Sequence, residues 1–340
     1  MHTDGFPGLR IGVVIPAYRV ERHIEQVIRG LPGFVDSIIV VEDASPDRTR
    51  ERVAALAERD RRITLLSHAT NRGVGGAMRT GFAEALRQGL DLVVKMDGDD
   101  QMDPAWLPQL VAPLAAGTAD MAKGNRYATL GSLKAMPPVR MAGNAGLTFL
   151  VKLASGYWNT FDPANGYFAV RTSVLERMNL DKLPSRYFFE SGFLIELGIL
   201  RAAVQDIAIP ARYGDERSSL SVLRTLVGFP PRLMWGLVRR LFWRYLVYDF
   251  TALSVFLLLG LPLLVWGVVY GTVVYFELAK LNENATAGQV MLAAMPIILG
   301  VQLLLQAVVL DIANVPRVAI SPPLEPSAAG MRLERETVER

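Results

Sequence analysis

Residues 95–104 read Lys-Met-Asp-Gly-Asp-Asp-Gln-Met-Asp-Pro and follow directly on the apolar run Leu90-Asp-Leu-Val-Val94. Asp97, Asp99, Asp100, Asp103 and Gln101 thus crowd the end of a segment that has the composition of a buried strand. Like charges this close repel unless solvent screens them or a cation shares them. Asp97 and Asp99 have the spacing D-x-D, and Gln101 stands two residues further on. Alternate residues of an extended segment point the same way, so these three are candidates to converge on one ion. Oxygen ligands without His or Cys favour Mg²⁺ or Mn²⁺. Asp100 and Asp103 read as solvated or capping, since Asp103 before Pro104 suits an N-cap followed by proline at the first helical position.

The flanking segments give that turn its setting. Apolar, β-branched runs at 11–17 (IGVVIPA), 37–45 (SIIVVEDAS), 63–68 (ITLLSH) and 90–97 (LDLVVKMD) alternate with segments of helical spacing. The latter lie at 21–31, 47–60, 74–89 and 104–117. Strands separated by crossover helices predict an α/β domain with a largely parallel sheet, whose ligands bind at the carboxyl ends of strands. Three polar clusters fall at such ends: Pro16-Ala17-Tyr18, Glu42-Asp43-Ala44-Ser45, and 97–101. Ser45 and Asp47 are also candidates for helix capping. The glycine-rich stretch 71–77 (NRGVGGA) opens a helix but has neither the phosphate-loop nor the dinucleotide spacing, so Gly75 and Gly76 read as close-packing residues.

Composition narrows the chemistry. The chain has 340 residues, 51% of them hydrophobic, with no Cys and three His; its mean hydropathy is +0.26. Disulfides and thiolate metal sites are excluded, and a histidine cage or Ser-His-Asp triad is disfavoured. The formal net charge is +3, and the basic residues cluster near apolar segments rather than on an aromatic-studded sheet, which argues against nucleic-acid binding. No secretory signal is visible in the first ten residues, so the leading part is expected in the cytosol.

Two runs without charge, 250–276 and 284–310, exceed the roughly 20 residues a helix needs to cross a bilayer. They predict a two-helix transmembrane hairpin over 249–314, with spans at about 250–276 and 287–311. Arg217, Arg224, Arg232, Arg239, Arg240 and Arg244 precede it and Arg317, Arg332, Arg335 and Arg340 follow, whereas the intervening loop sets Lys280 against Glu277 and Glu283. The positive-inside rule then predicts both termini on the cytoplasmic side. Residues 219–248 mix Arg with Leu, Trp and Phe at helical spacing. They predict interfacial amphipathic helices, broken at Pro230-Pro231, that anchor residues 1–218 to anionic lipid. The tail at 315–340 is expected to be cytoplasmic and disordered.

The ordered series VVIPAY, IIVVEDASPDRT, NRGVGGAMRTGFAEAL, VVKMDGDDQMDP, KGNRY, DPANGYFAV and RYFFES resembles family 2 glycosyltransferases. It is most similar to the branch containing dolichol-phosphate mannose synthases and bacterial polyprenyl-phosphate glycosyltransferases, over about residues 10–245. The resemblance implies a GT-A fold, a nucleotide-diphosphate sugar donor of UDP-glucose or GDP-mannose type, a divalent ion (Mg²⁺ or Mn²⁺), and a polyprenyl phosphate acceptor at the membrane. It assigns Pro16, Ala17, Tyr18, Asp43, Asp97, Gly98 and Asp99 to the donor. Asp97, Asp99 and Gln101 go to the metal, Arg140, Asn144 and Glu190 to the acceptor, and Asp162, Arg126 and Arg140 to catalysis.

Three departures from the family pattern are visible. Glu21 stands one residue late, Gly192 replaces a usual acidic residue, and Tyr213–Ser219 replaces a GxSK pattern. Since a phosphate oxygen is already ionised near neutral pH, no strong general base is required, and direct attack at the anomeric carbon would invert configuration. A polysaccharide synthase would carry more spans and a Gln-x-x-Arg-Trp motif, and neither is present. A non-catalytic scaffold or nucleotide-sugar sensor would be expected to have lost the D-x-D. The pattern leaves room for a homo-oligomer.

Overall fold

The computed structural model describes residues 5–128, 138–210, 222–322 and 324, the side chains of 138–142 and 222–227 excepted. Among the described residues seven strands are present: β1 (Ile11–Ala17), β2 (Ser37–Glu42), β3 (Ile63–Ser67), β4 (Leu92–Lys95), β5 (Met121–Asn125), β6 (Phe168–Arg171) and β7 (Val204–Ala208). The helices are α1 (Ile24–Arg29), α2 (Thr49–Ala57), α3 (Val74–Arg87), α4 (Leu107–Ala115), α5 (Pro138–Ser155), α6 (Thr172–Glu176), α7 (Phe189–Leu200), α8 (Val222–Leu241), α9 (Ala252–Leu281) and α10 (Ala287–Ala313). The chain divides into two compact units. One comprises 1–237 with 316–340, the other 238–315.

The first unit is built on one sheet of order β3-β2-β1-β4-β6-β5-β7. β1 pairs in parallel with β2 and β4, β2 with β3, and β5 with β7. β6 alone runs antiparallel, between β4 and β5. The central strands β1, β2 and β4 are largely apolar and buried on both faces because helices cover both, as crossover connections require. Ile11, Val13, Ile15, Ile38, Val40, Leu92 and Val94 form one side of the core with Leu107, Leu110 and Leu114 of α4. On the other, α3 approaches β1 so closely that a Cβ at Gly81 would overlap Val14. Phe82, Phe168, Phe189 and Phe193 stack beside it.

The predicted close packing of Gly75 and Gly76 is present. The Gly76 amide donates to Ser185 O (3.0 Å), and a Cβ at Gly75 would overlap Pro184 O. Asp103 caps as its sequence implied, accepting from the Ala105 amide at 2.9 Å ahead of Pro104.

Residues 316–322 depart from the disorder expected of the tail. Asp120 accepts the amides of Ile320 (2.9 Å) and Ser321 (3.1 Å), and Arg171 donates to Ser321 O (3.1 Å) and Pro322 O (2.6 Å). Asp120 and Arg171 are fully buried. Two buried, oppositely charged side chains need partners, and the returning backbone supplies them.

The Pro230-Pro231 break is also corrected. α8 runs through both prolines, because their fixed φ is helical and the lost amides interrupt hydrogen bonding without forcing a turn. Phe229 and Arg232 pack on Phe188, and Gly236 lies against Ile195.

In the second unit α9 and α10 are joined by residues 282–286 and packed as an antiparallel pair. Each is long and apolar enough to cross a membrane, and α9 continues to Leu281, past the predicted end at 276. At 1.5 Å per residue they extend about 45 and 40 Å. Glycines set their spacing: a Cβ at Gly267 would stand 2.7 Å from Ala293 O, and one at Gly300 2.7 Å from Leu264 N. Thr251 with Ser254 and Thr286 with Gln289 form capping boxes at the two N-termini.

Residues 242–248 form a π-helical segment, and here the role expected of two arginines changes. Arg240 and Arg244, expected among the lipid-facing basic residues, are buried. Arg240 makes a bidentate pair with Asp311 (2.8 and 2.9 Å), Tyr245 donates to the same carboxylate (2.6 Å), and Arg244 donates to Asn314 O (2.5 Å). Asp311, one residue beyond the uncharged run, turns Arg240 inward, and the Asn314 carbonyl turns Arg244 inward.

Candidate active site

The carboxyl ends of β1, β2, β4 and β5 and the start of antiparallel β6 share one edge of the sheet, and Pro16, Ala17, Tyr18, Asp43, Asp97, Gly98, Asp99, Gln101 and Arg126 end or directly follow those strands. Pro16 and Ala17 end β1 and are half-buried and buried, while Tyr18 is 43% exposed with the Arg19 guanidinium 5.3 Å from its ring centroid. Gly98 is buried, with room for a Cβ limited by Val20, Ile24 and Ile15.

Asp43 is 3% exposed and meets three polar partners. It accepts the amides of Arg72 (2.8 Å) and Gly73 (2.7 Å) and meets His68 Nδ1 at 2.7 Å, while His68 Nε2 reaches Thr80 Oγ1 (2.9 Å). Its own carbonyl accepts from Asn71 Nδ2 (3.1 Å). Asp43 therefore holds the glycine loop against β2. That loop needs Gly73, whose φ is +79°.

In the acidic turn, Asp97 accepts from Lys95 Nζ through Oδ1 at 2.6 Å, and Asp99 Oδ1 accepts the Gln101 amide at 3.1 Å. Asp100, at φ +63°, reverses the chain and receives Gln26 Nε2 (3.0 Å). Asp97, Asp99 and Gln101 remain partly exposed. Their donor set, two carboxylates and an amide oxygen, fits a hard divalent ion that takes its other ligands from water or a bound phosphate. Among the described residues no cluster of three His, Cys, Asp or Glu side chains is placed to hold a metal ion.

Lys95 was missed by the sequence reading. Its side chain is 1% exposed and lies between Asp97 and Glu190, the latter 3.6 Å away in the first turn of α7. Burial alone would depress this ammonium. Asp97, Glu190 and Asp99 outweigh it and hold its pKa above the ordinary lysine value. Burial raises the Glu190 carboxyl, with Lys95 opposing. The available signal was a lysine ending a strand otherwise buried on both faces, which has to be paired.

A second buried lysine occupies the equivalent place on β5. Lys95 and Lys123 are both registered with Phe168 of β6. Lys123 Nζ donates to Asp162 O (2.6 Å) and Gly124 O (3.2 Å). Burial pulls its pKa below the ordinary value although Asp206 and Asp162 oppose it.

Asp162, 1% exposed and at φ +56°, faces Arg126. Arg126 Nε donates to Oδ2 (2.7 Å) and Nη2 to Oδ1 (2.8 Å), and its amide adds a third bond (3.2 Å). The turn 162–166 then carries the chain from Arg126's partner to Lys95's neighbour. Asn165 Nδ2 donates to Gly124 O (2.9 Å), and Gly166 leaves room for Lys95 Nζ where a Cβ would overlap it. Asn144 Nδ2 lies 3.4 Å from the Tyr127 hydroxyl, one residue beyond Arg126. Arg140 is in the first turn of α5, and its side chain lies outside the described residues.

The family profile described as "Glycosyl transferase family 2" matches residues 12–178. The polyprenol monophosphomannose synthase of Mycolicibacterium smegmatis is 30% identical over 223 residues, 63% of this chain and 81% of that protein. The undecaprenyl-phosphate mannosyltransferase of Micrococcus luteus is 28% identical over 241 residues, 68% of this chain and 96% of that protein. Among solved structures, glucosyl-3-phosphoglycerate synthase from Mycobacterium tuberculosis, determined with Mn²⁺ and UDP-glucose, superposes with a TM-score of 0.50 at 24% identity. That match covers 68% of this chain and 79% of that one.

Proposed function

The chain belongs to glycosyl transferase family 2 and has its GT-A fold, and from that premise we propose that it transfers a sugar from a nucleotide-diphosphate sugar to a polyprenyl phosphate at a membrane surface. The observation that carries this reading is the acidic turn 97–101 at the carboxyl end of β4, joined by residues 162–166 to the Arg126–Asp162 pair. The named activities of the M. smegmatis and M. luteus relatives support the acceptor class. The apolar hairpin supports a lipid-borne acceptor, because a polyprenyl phosphate stays in the headgroup plane.

In this reading Asp97, Asp99 and Gln101 would hold Mg²⁺ or Mn²⁺, and the ion when bound would supply positive charge for the departing nucleotide diphosphate. Pro16, Ala17 and Tyr18 receive the base and ribose, while Asp43 shapes that pocket by fixing the 71–73 loop. Asp162 acts as an orienter rather than a base, since its two oxygens fix the plane of the Arg126 guanidinium. Arg126 then places fixed positive charge beside the diphosphate. Arg140 and Asn144 on α5 and Glu190 on α7 form the acceptor side, where the lipid phosphate attacks directly with inversion. The soluble domain and both termini lie on the cytoplasmic face, with the exposed Trp235, Phe242, Trp243 and Tyr248 in the headgroup layer.

The test supplies purified protein in lipid with undecaprenyl or dolichyl phosphate, Mn²⁺ or Mg²⁺, and a panel of radiolabelled nucleotide sugars. Label entering the organic phase from one donor, and lost on chelation, supports the reading and identifies the sugar. Nucleotide binding with no transfer from any donor to either lipid would reject it.

A further inference from the structure

Lys95 belongs to neither of the groups that the sequence assigned, yet it touches both. Its ammonium bonds to Asp97 Oδ1 at 2.6 Å and stands 3.6 Å from Glu190 Oε1. The first is a carboxylate of the acidic turn, the second lies on the acceptor side of the proposed reaction. The lysine is sealed from solvent at 1% exposure, and Gly166 is bare where a methyl group would displace it. A cation so placed is a permanent occupant of part of the acidic cluster. It neutralises about one unit of the charge on Asp97, Asp99 and Glu190 before any ligand arrives.

We infer that Lys95 is a positioning residue that sets the divalent-ion affinity of the acidic turn and couples it to Glu190. It holds Asp97 by Oδ1 so that Oδ2 is the oxygen presented to the ion. By repelling a free cation it also keeps the turn from binding metal tightly until a nucleoside diphosphate brings its own negative charge. Glu190 shares the ammonium, so any movement of Glu190 alters how firmly Lys95 holds Asp97. This inference rests on the metal role proposed for Asp97 and Asp99.

The experiment is a Mn²⁺ titration followed by electron paramagnetic resonance, on the full-length protein in detergent, with and without UDP or GDP. Lys95→Gln removes the charge but keeps a donor for Asp97. It is expected to bind Mn²⁺ alone about tenfold more tightly than the wild type, because a like charge within a few ångströms of the ion is gone. The added tightening produced by the nucleoside diphosphate should shrink by a similar factor. Lys95→Arg, which retains the charge, should stay within about threefold of the wild type.

Glu190→Gln should weaken Mn²⁺ binding in the wild-type background, and clearly less in the Lys95→Gln background if the two side chains are coupled. A merely structural role for Lys95 would lower melting temperature and leave Mn²⁺ affinity unchanged or weaker, and that result overturns the inference. If Lys95→Gln does not fold, the neutral Lys95→Met forms the cycle with Glu190→Gln, and additivity of the two changes overturns it. Failure of the wild type to bind Mn²⁺ in the presence of either nucleoside diphosphate is a separate outcome. It overturns the metal reading itself.

Discussion

Arg126 and Asp162 meet through two parallel hydrogen bonds of 2.7 and 2.8 Å, and the Arg126 amide closes on the same carboxylate at 3.2 Å. The carboxylate is buried and the guanidinium is 40% exposed, so the pair presents the arginine outward on a fixed base. Asp162→Asn keeps a residue tolerant of the left-handed backbone but loses the two-oxygen clamp. Its kcat/KM is expected to fall about 100-fold with little change in melting temperature, the scale on which misplacing a positioning group acts. Arg126→Lys should be no better tolerated, because an ammonium cannot reproduce the fork. Steady-state kinetics with the identified donor checks both.

On the metal role proposed for Asp97, the acidic turn separates into a ligand and a cap. Asp97→Ala should reduce glycolipid synthesis by at least about 1,000-fold, and chelation should do the same to the wild type in a manner reversed by Mn²⁺ or Mg²⁺. Asp103→Ala, six residues on, should cost only about 1 kcal/mol of stability by removing the bond to the Ala105 amide, with activity retained. Equal losses of activity in the two variants would reject the division.

Asp43 concentrates three donors on one buried carboxylate. Asp43→Ala leaves the Arg72 and Gly73 amides and a His68 nitrogen without their acceptor. About 2–4 kcal/mol should be lost, seen as a lower melting temperature and faster proteolysis near residue 72. The Michaelis constant for the donor should rise as the loop loosens.

Between the end of α8 and the hairpin, Arg240→Ala removes the bidentate partner of the buried Asp311 carboxylate. A loss of about 3–5 kcal/mol is expected, measured as thermal unfolding in detergent. The double change Arg240→Met, Asp311→Leu removes both charges and should be far milder. Similar losses in the two would show that the ion pair is not what sets the packing there.

Much of this could be read from the chain because the residues concerned act locally. The strands announce themselves as β-branched runs, Asp103 caps the turn it precedes, and the hairpin is visible in 27 residues without a charge. What escaped notice depends on partners far along the chain. Lys95 looks like a strand-end surface residue until α7 brings Glu190 to it, 95 positions away. Arg240 and Arg244 have the composition of a lipid-facing stripe, and only Asp311 and Asn314 reverse them. Asp43, assigned to the donor by motif, also accepts the amides of the loop at 72–73, which its motif did not announce. Pro230-Pro231 reads as a break because local propensity ignores the packing of Phe229 and Arg232 on Phe188.

The bonds from Asp120 and Arg171 to residues 320–322 bear on how the protein can be dissected. The hairpin is not an appendix but an insertion, since the chain leaves the sheet domain near 237 and re-enters it at 316. A water-soluble version trimmed after residue 237 would leave a buried aspartate and a buried arginine facing solvent. Excising 238–315 and bridging the cut with a flexible linker would keep that seal intact, and is the better route to a crystallisable catalytic domain.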